Sequence, residues 1–222
     1  MAKHAIIIGN GEPPSEKLLR QVLQEGGEVY CADGGANILA AFGQIPDYIV
    51  GDLDSVKPEV LAQVDDEHQI CIDADNTSTD LMKVLQFAEQ RGVTHATLLA
   101  VTGRRIDHTL WNLSLLKTFR RRLQLRILDD YCDVRLIEGN IRFSALPGLK
   151  LSLCPIGGPA KHIRTRGLKY PLNDEVLEPA MRDGISNEVA ENPVVISVGS
   201  GYLLLCIQRE DNMGDITIEG EA

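Results

Sequence analysis

The chain has 222 residues, 44% of them hydrophobic, and a mean hydropathy near zero, as expected of a globular protein. This length allows one large domain or two modest ones, each with its own core. The net charge is −10, and segment 33–80 carries eleven Asp or Glu residues beside a single basic residue, Lys57. Such a segment repels a nucleic-acid backbone, so nucleic acid is not an expected partner. The acidic segment suits divalent cations, although a solvated acidic surface would have the same composition.

The N-terminal sequence and the cysteines predict a cytoplasmic protein. The apolar run from Ala5 to Ile8 is too short for a secretory signal. No stretch approaches the roughly 20 apolar residues that cross a bilayer, so no membrane partner is expected. The five cysteines are odd in number and widely spaced, without a CxxC pair. They therefore indicate thiols in a reducing compartment.

Short apolar runs alternate with helical patterns over the first 130 residues. The pattern predicts strands at 5–10, 28–33, 47–52, up to about 73, 95–103 and 123–130, and helices at about 15–26, 36–42, 79–91 and 107–122. Strands that alternate with helices imply right-handed crossovers and a mostly parallel sheet. We therefore predict an α/β, doubly wound domain over residues 1–130.

The pattern changes after about Tyr131, where short alternating or β-branched runs are separated by Gly, Pro and Asn. The runs 194–198 and 202–208, joined by Gly199-Ser200-Gly201, predict a β-hairpin. We predict an all-β sandwich domain over residues 131–222.

The unusual residues of the first half follow the predicted strands, where doubly wound sheets bind ligands. Asp33-Gly34-Gly35 could admit a phosphate to the backbone, or could be a glycine turn with a capping aspartate. Asp52 and Asp54, at i and i+2 of an extended segment, would point the same way and could share one hard cation. The alternative is that they are turn-forming or helix-capping residues.

Two further junctions carry polar residues. Segment 73–80 contains Asp75, Thr79 and Asp80 before a predicted helix, where an N-cap cluster is the alternative interpretation. Segment 102–108 places arginine at a predicted helix start, where a phosphate could lie, with Asp107 as a possible cap. Four consecutive strand ends of this kind indicate a magnesium-dependent enzyme that moves a phosphate-containing group.

Together, the motifs ADGGAN (32–37), GDLDS (51–55), the tract ending Thr79-Asp80, and TGRRIDHTLWNL (102–113) resemble the thiamine pyrophosphokinase family. Segments 167–172 and 184–188 are similar to the family's thiamine-binding signatures, so the resemblance covers essentially the whole chain. One position departs from the family pattern. The family usually has Thr-Gly-Gly-Arg, and Arg104 replaces the second glycine, although the spacing to Asp107 favours Arg105 as the phosphate-facing arginine.

The resemblance implies ATP and thiamine as substrates and thiamine diphosphate and AMP as products. It also implies a homodimer, with thiamine between the α/β domain of one subunit and the β-domain of the other. The implied ligands of Mg²⁺ are Asp52, Asp54 and Asp80. The implied nucleotide-binding residues are Asp33, Gly34, Gly35, Asp75, Thr79, Thr102, Arg105 and His108. The implied catalytic residues are Asp54, Asp80, Arg105 and Asp107, and the implied thiamine-binding residues are Tyr170, Ser186 and Asn187.

The sequence is compatible with three alternatives. Either Asp107 or a metal-linked aspartate could accept the hydroxyl proton. Another magnesium-dependent phosphohydrolase or nucleotidyltransferase could share the Asp-x-Asp pattern. A non-catalytic sensor of nucleotide or thiamine would keep the binding residues without turnover.

Overall fold

The computed structural model describes residues 3–72, 78–182, 184–209 and 216–220. The chain folds as two compact units, the first made of Met1–Leu115 and Arg122–Asp130, the second of Leu116–Arg121 and Tyr131–Ala222. No helix in the described part of the chain is long and apolar enough to span a membrane.

Six parallel strands form the sheet of the first unit, in the order β4-β3-β2-β1-β5-β6. These strands are β1 (His4–Ile8), β2 (Glu28–Ala32), β3 (Tyr48–Gly51), β4 (Gln69–Cys71), β5 (His95–Leu99) and β6 (Gln124–Leu128). The helices are α1 (Glu16–Glu25), α2 (Gly35–Ala41), α3 (Pro58–Leu61), α4 (Asp80–Gln90) and α5 (Ile106–Phe119), with a 3₁₀ turn at Asp66–His68.

Strand β1 lies between β2 and β5, and its last four residues are completely buried. Such continuous burial is expected when helices cover both faces of a parallel sheet. The chain adds β2, β3 and β4 on one side of β1 and then crosses to add β5 on the other. This change of direction is a topological switch point, where the carboxyl ends of the strands open a crevice for ligands.

Two side-chain caps fix helix starts that the sequence predicts. The Ser15 hydroxyl accepts a hydrogen bond from the Leu18 amide, and the Thr79 hydroxyl accepts one from the Met82 amide. Each cap satisfies an amide that has no partner within the helix. The prediction missed helix α3 and the 3₁₀ turn, which are only a few residues long.

The second unit is built from antiparallel strands. They are β7 (Cys132–Ile137), β8 (Asn140–Phe143), β9 (Lys150–Pro155), β10 (Ala160–Arg166), β11 (Asn173–Leu177), β12 (Gly184–Glu188), β13 (Val194–Ser197), β14 (Leu203–Gln208) and β15 (Ile218–Glu219). One layer has the order β12-β9-β14-β7, and the other has the order β11-β10-β13-β8-β15.

A single apolar core joins these two layers. Leu153 and Leu205 from the first layer share one buried cluster with Phe143, Ile163 and Ile196 from the second. Alternate residues of each strand supply this core, as the period-two pattern of the sequence requires. The predicted fold class, a doubly wound domain followed by a β-sandwich, is confirmed.

The predicted hairpin at 194–208 is wrong. Strand β13 pairs with β8 and β10, whereas β14 pairs with β7 and β9 in the other layer. Gly199-Ser200-Gly201 carries the chain from one layer to the other and packs against β10. A Cβ on Gly201 would lie 2.5 Å from the Pro159 carbonyl oxygen, and Ser200 forms an isolated antiparallel β-bridge with Lys161.

Candidate active site

A cleft of about 590 Å³ opens in the first unit at the carboxyl ends of β1, β2, β3 and β5. It lies at the switch point of the sheet. The predicted site residues that line it are Asp33, Asp52, Thr79, Asp80, Arg105 and His108. Polar side chains from four strand-to-helix junctions therefore meet in one place.

Three carboxylates lie together on the cleft wall. Oxygen atoms of Asp33, Asp52 and Asp80 all fall within 4.8 Å of one another. Asp33 follows β2 with a φ of 43°, a left-handed conformation that aspartate tolerates better than most residues. Gly51 ends β3 beside this group, and a Cβ there would come within 2.8 Å of the Asp33 Cβ and 3.4 Å of Asp80 Oδ1. A glycine at position 51 thus leaves the space between the carboxylates open.

The surroundings of Asp33 destabilise its ionised form when no cation is bound. Asp33 is 4% exposed, and among the described residues its Oδ1 has no hydrogen-bond partner. Burial raises the pKa of Asp33, and the nearby charge of Asp80 raises it further, against hydrogen bonds from Ser55 and Gly34 that lower it. A hard dication prefers carboxylate oxygens and would satisfy the unpartnered atom, so this group fits Mg²⁺.

Asp54 lies outside this group, so the structure does not bring the predicted ligands Asp52, Asp54 and Asp80 together as one set. The prediction assumed an extended segment, but Leu53 has a φ of 63°, which breaks the alternation of side chains. Asp54 is exposed, and its Oδ1 accepts a hydrogen bond from the Ser55 hydroxyl at 2.8 Å. Asp33 takes the third place in the group.

Lys83 is a cleft residue that the sequence interpretation missed. It lies one helical turn after Asp80 on α4, and its side chain is 3% exposed. The sequence signal that could have revealed it is a lysine at i+3 from Asp80 in a predicted helix, because positions three apart share one helix face.

The two charged residues at the start of α5 pair with each other. Arg105 donates to both carboxylate oxygens of Asp107, through Nε at 3.1 Å and through Nη2 at 2.5 Å. This pairing lowers the pKa of Asp107 to about 2. Asp107 also accepts a hydrogen bond from the His108 amide inside the first turn of the helix, so it is not the helix cap that the sequence suggested.

Other predicted nucleotide-binding residues have structural roles of their own. The Thr102 hydroxyl donates to Asp129 at 3.2 Å, and Thr102 is not among the cleft-lining residues. A Cβ on Gly35 would lie 2.3 Å from the Ile8 carbonyl oxygen, and one on Gly34 would lie 2.4 Å from Asn10 Nδ2. Close packing against the end of β1 therefore accounts for both glycines. Asp75 lies outside the described residues.

The loop after β1 is a second feature that the sequence interpretation missed. Gly9, Asn10 and Gly11 line the cleft, and Cβ atoms on either glycine would fall within 2.6 Å of the Ala100 carbonyl oxygen. The loop is thus pressed against the end of β5. Its position at the end of the central strand would have identified it, because the same rule located the other junctions.

In the second unit, the predicted thiamine-binding residues lie on or near β12. Tyr170 is 60% exposed. The Asn187 amide is 5% exposed and holds the backbone of Tyr170, since Oδ1 accepts from the Tyr170 amide and Nδ2 donates to its carbonyl. Ser186 is exposed and has a φ of 60°. The structure thus gives Asn187 a positioning role that the sequence did not predict.

Two family models match successive parts of the chain. Residues 19–128 match the family model described as "Thiamin pyrophosphokinase, catalytic domain", and residues 140–203 match "Thiamin pyrophosphokinase, vitamin B1 binding domain". The chain belongs to the thiamin pyrophosphokinase family. The predicted family and the predicted thiamine diphosphokinase activity are thereby confirmed.

Individual relatives of the thiamin pyrophosphokinase family agree with this placement. The chain is 29% identical over 198 residues to "Thiamine pyrophosphokinase 3" of Oryza sativa subsp. japonica, covering 77% of this chain and 74% of that protein. It is 24% identical over 185 residues to the thiamine pyrophosphokinase of Bacillus subtilis (strain 168), covering 78% and 83%.

Solved structures support the same fold. The crystal structure of Bacillus subtilis thiamine pyrophosphokinase has a TM-score of 0.80 at 22% identity, covering 94% of this chain and all of that one. Thiamin pyrophosphokinase from Candida albicans has a TM-score of 0.82 at 17% identity, covering 94% and 90%. At such identities the likeness shows the fold of this chain alone.

Proposed function

We propose that this chain transfers the diphosphoryl group of ATP to the hydroxyl of thiamine, giving thiamine diphosphate and AMP. The observation that carries the proposal is the meeting of Asp33, Asp52 and Asp80 in one cleft of a chain that matches both family domains. Carboxylates so close together suit a dication that is shared with the phosphates of a nucleotide. We propose residues 1–130 as the domain that binds ATP and Mg²⁺ and residues 131–222 as the domain that binds thiamine.

The reaction needs a pentacoordinate β-phosphorus with the thiamine oxygen and the leaving AMP in line. The bond from the thiamine oxygen to the β-phosphorus forms, the bond from the β-phosphorus to the α,β-bridging oxygen breaks, and AMP keeps that oxygen. Asp33, Asp52 and Asp80 would hold Mg²⁺, which when bound neutralises phosphate charge. The residues themselves align the reactants and exclude alternative geometries, which are the main tasks of a protein in phosphoryl transfer.

Cationic side chains complete the phosphate site in this proposal. Arg105 lines the cleft at the start of α5 and supplies a fixed positive charge to the phosphates. Thr79 and His108 also line the cleft and are proposed nucleotide contacts, as are the backbone groups of Gly34 and Gly35. Asp54 is proposed as a further metal ligand, because it is exposed on the loop that carries Asp52 and is available to an incoming metal–nucleotide complex.

The pairing of Asp107 bears on the proton acceptor. A carboxylate with a pKa of about 2 is a weak base near neutral pH, and Arg105 occupies both of its oxygens. We therefore propose that Asp107 positions Arg105 and that an aspartate of the carboxylate group accepts the hydroxyl proton. Burial raises the pKa of Asp33, which favours this carboxylate as a proton acceptor.

We propose that the second unit binds thiamine. We propose that Tyr170 stacks on a ring of thiamine and that Ser186 contacts its polar edge, with Asn187 holding the Tyr170 backbone. The high exposure of Tyr170 supports a ring that is available to a ligand or to a second subunit. The proposed assembly is a homodimer with thiamine at the subunit interface, and the proposed location is the cytoplasm.

The experiment is a product assay of purified protein with ATP, Mg²⁺ and thiamine, in which AMP and thiamine diphosphate are separated chromatographically. The proposal predicts equal amounts of the two products and no AMP when thiamine is omitted. AMP or ADP formed without thiamine would instead indicate a phosphohydrolase. Binding of both ligands without any product would indicate a sensor. Asp52→Asn serves as the inactive control.

A further inference from the structure

Arg104 stands where the family usually has glycine, and its backbone requires the conformation that glycine adopts easily. Its φ is 50°, immediately after Gly103 at 76°. A left-handed conformation is unfavourable for a non-glycine residue, because its Cβ crowds the backbone. Local strain of this kind persists where the side chain has a task, so the outlier directs attention to the guanidinium.

The guanidinium lies at the rim of the carboxylate cleft and is weakly held. Its Nη1 is 3.4 Å from both the backbone oxygen and Oδ1 of Asn10. These distances are longer than those of a strong hydrogen bond. Arg104 is exposed, so its guanidinium can turn towards a ligand at little cost.

Arg104 borders two spaces of different chemistry. One is the cleft that holds the carboxylate group, and the other is a neighbouring pocket of about 430 Å³. The apolar side chains of Pro13, Ile38, Ala41 and Phe42 line the second space. Asn10 borders both spaces with Arg104.

We propose that Arg104 binds the α-phosphate of ATP, the phosphate that leaves with AMP. This inference rests on the proposed function. The transferred phosphates belong beside the carboxylates, because a shared dication must reach them. A nucleoside needs an apolar surface, which the second pocket provides. The phosphate that joins the two parts of the nucleotide then falls at their common border, where a guanidinium can donate two parallel hydrogen bonds.

The test measures binding by calorimetry, with AMP and with a non-hydrolysable ATP analogue plus Mg²⁺, for the wild type and Arg104→Gly. We expect both dissociation constants to rise by about 10-fold or more, as for loss of a charge-assisted hydrogen bond. The melting temperature should stay the same or rise, since glycine relieves the left-handed strain. Arg104→Lys should recover part of the affinity, because it keeps the charge without the fork.

Arg121→Gln is the matched control, since it removes one exposed arginine charge from the second unit. It should leave both dissociation constants unchanged. The assignment would be overturned if Arg104→Gly bound AMP as tightly as the wild type does. This holds even if the variant binds the ATP analogue more weakly. A lower melting temperature with unchanged affinities would show that Arg104 is only a structural partner of Asn10. Because binding is measured without turnover, absence of product in the wild type would reject the proposed function separately.

Discussion

The Nζ atom of Lys83 lies 3.2 Å from Oδ1 of Asp80, and the lysine side chain is almost fully buried. Nζ also lies 3.4 Å from the Ile72 carbonyl oxygen. The ammonium group thus stands beside three mutually repelling carboxylates, Asp33, Asp52 and Asp80. In the metal-free protein it offsets part of their charge, a task that a bound dication shares.

Lys83→Met should therefore destabilise the metal-free protein. We expect the free energy of unfolding to fall by about 1–2 kcal/mol. This is at the low end for a broken ion pair, because Asp80 is 37% exposed and its charge is partly screened by water. For a chain of this length that corresponds to a few degrees in melting temperature. Mg²⁺ should stabilise the variant more than the wild type, since it supplies the missing positive charge. Thermal melts with and without Mg²⁺ measure this, and equal stabilisation of the two proteins would contradict it.

Asp33→Asn should stabilise the metal-free protein while weakening its response to Mg²⁺. A raised pKa means that the native state holds this proton more tightly than the unfolded chain does. The native state therefore loses stability as pH rises through that raised pKa. The advantage of the variant should be absent below pH of about 4, the ordinary aspartate value, and should grow as pH rises. Melting curves from pH 4 to pH 8 test this, and a variant less stable than the wild type at pH 8 would argue against it.

Asp54→Ala should lower turnover by about 10²-fold or more with little change in melting temperature. The side chain is exposed and its assigned hydrogen bond is to the neighbouring Ser55, so the fold does not depend on it. The expected loss follows from its proposed contact with the metal–nucleotide complex. Steady-state assays over a range of Mg²⁺ concentrations measure it, with Glu59→Ala as an exposed acidic control. Turnover equal to the wild type would restrict the ligands to Asp33, Asp52 and Asp80.

Arg105→Gln should both reduce activity and change the titration of Asp107. Loss of the guanidinium should let the pKa of Asp107 return from about 2 towards its ordinary value of about 3.9. NMR titration of the carboxyl carbon measures the shift. The depressed pKa means that the ion pair persists from neutral pH down to about pH 2, so the wild-type rate should show no step from Asp107 above pH 4. A rate step that follows the NMR titration of Asp107 would restore it as the proton acceptor.

Asn187→Ala should raise the KM for thiamine by about 10-fold without a comparable change in the KM for ATP. Both polar atoms of the Asn187 amide hold the Tyr170 backbone, so the substitution frees the ring that is proposed to stack on thiamine. Removal of a buried amide also leaves backbone groups unpaired, which costs about 1–3 kcal/mol. Tyr170→Phe should bind thiamine nearly as the wild type does, because stacking needs no hydroxyl. A comparable rise in the KM for ATP in Asn187→Ala would show that the substitution does not act through Tyr170 and thiamine.

Local patterns predicted the elements of the first unit, because buried strands such as His4–Ile8 are apolar runs and Ser15 and Thr79 are recognisable caps. Pairing in the second unit was harder to predict. Residues 194–208 have the local pattern of a hairpin, but the two strands pair with different partners in different layers, and such long-range pairing is not encoded in a local pattern.

The sequence located the strand-end junctions of the site, whereas the grouping of its carboxylates required the structure. The rule that ligands bind at strand ends located Asp33, Asp52 and Asp80 in one cleft. Whether Asp33 or Asp54 lies beside Asp52 and Asp80 depends on the left-handed backbone of Leu53, which could not be predicted from the sequence. The same holds for Asp33 itself, whose backbone is also left-handed.

We propose that carboxylates from separate strand ends bind one dication for diphosphoryl transfer. Anomalous scattering from a crystal of the protein with Mn²⁺ in place of Mg²⁺ and a non-hydrolysable ATP analogue would locate this ion. We expect a peak at a coordination distance of roughly 2.1 Å from oxygen atoms of Asp52 and Asp80, with a phosphate oxygen on the same ion. A bound nucleotide with no ion at these two aspartates would contradict it.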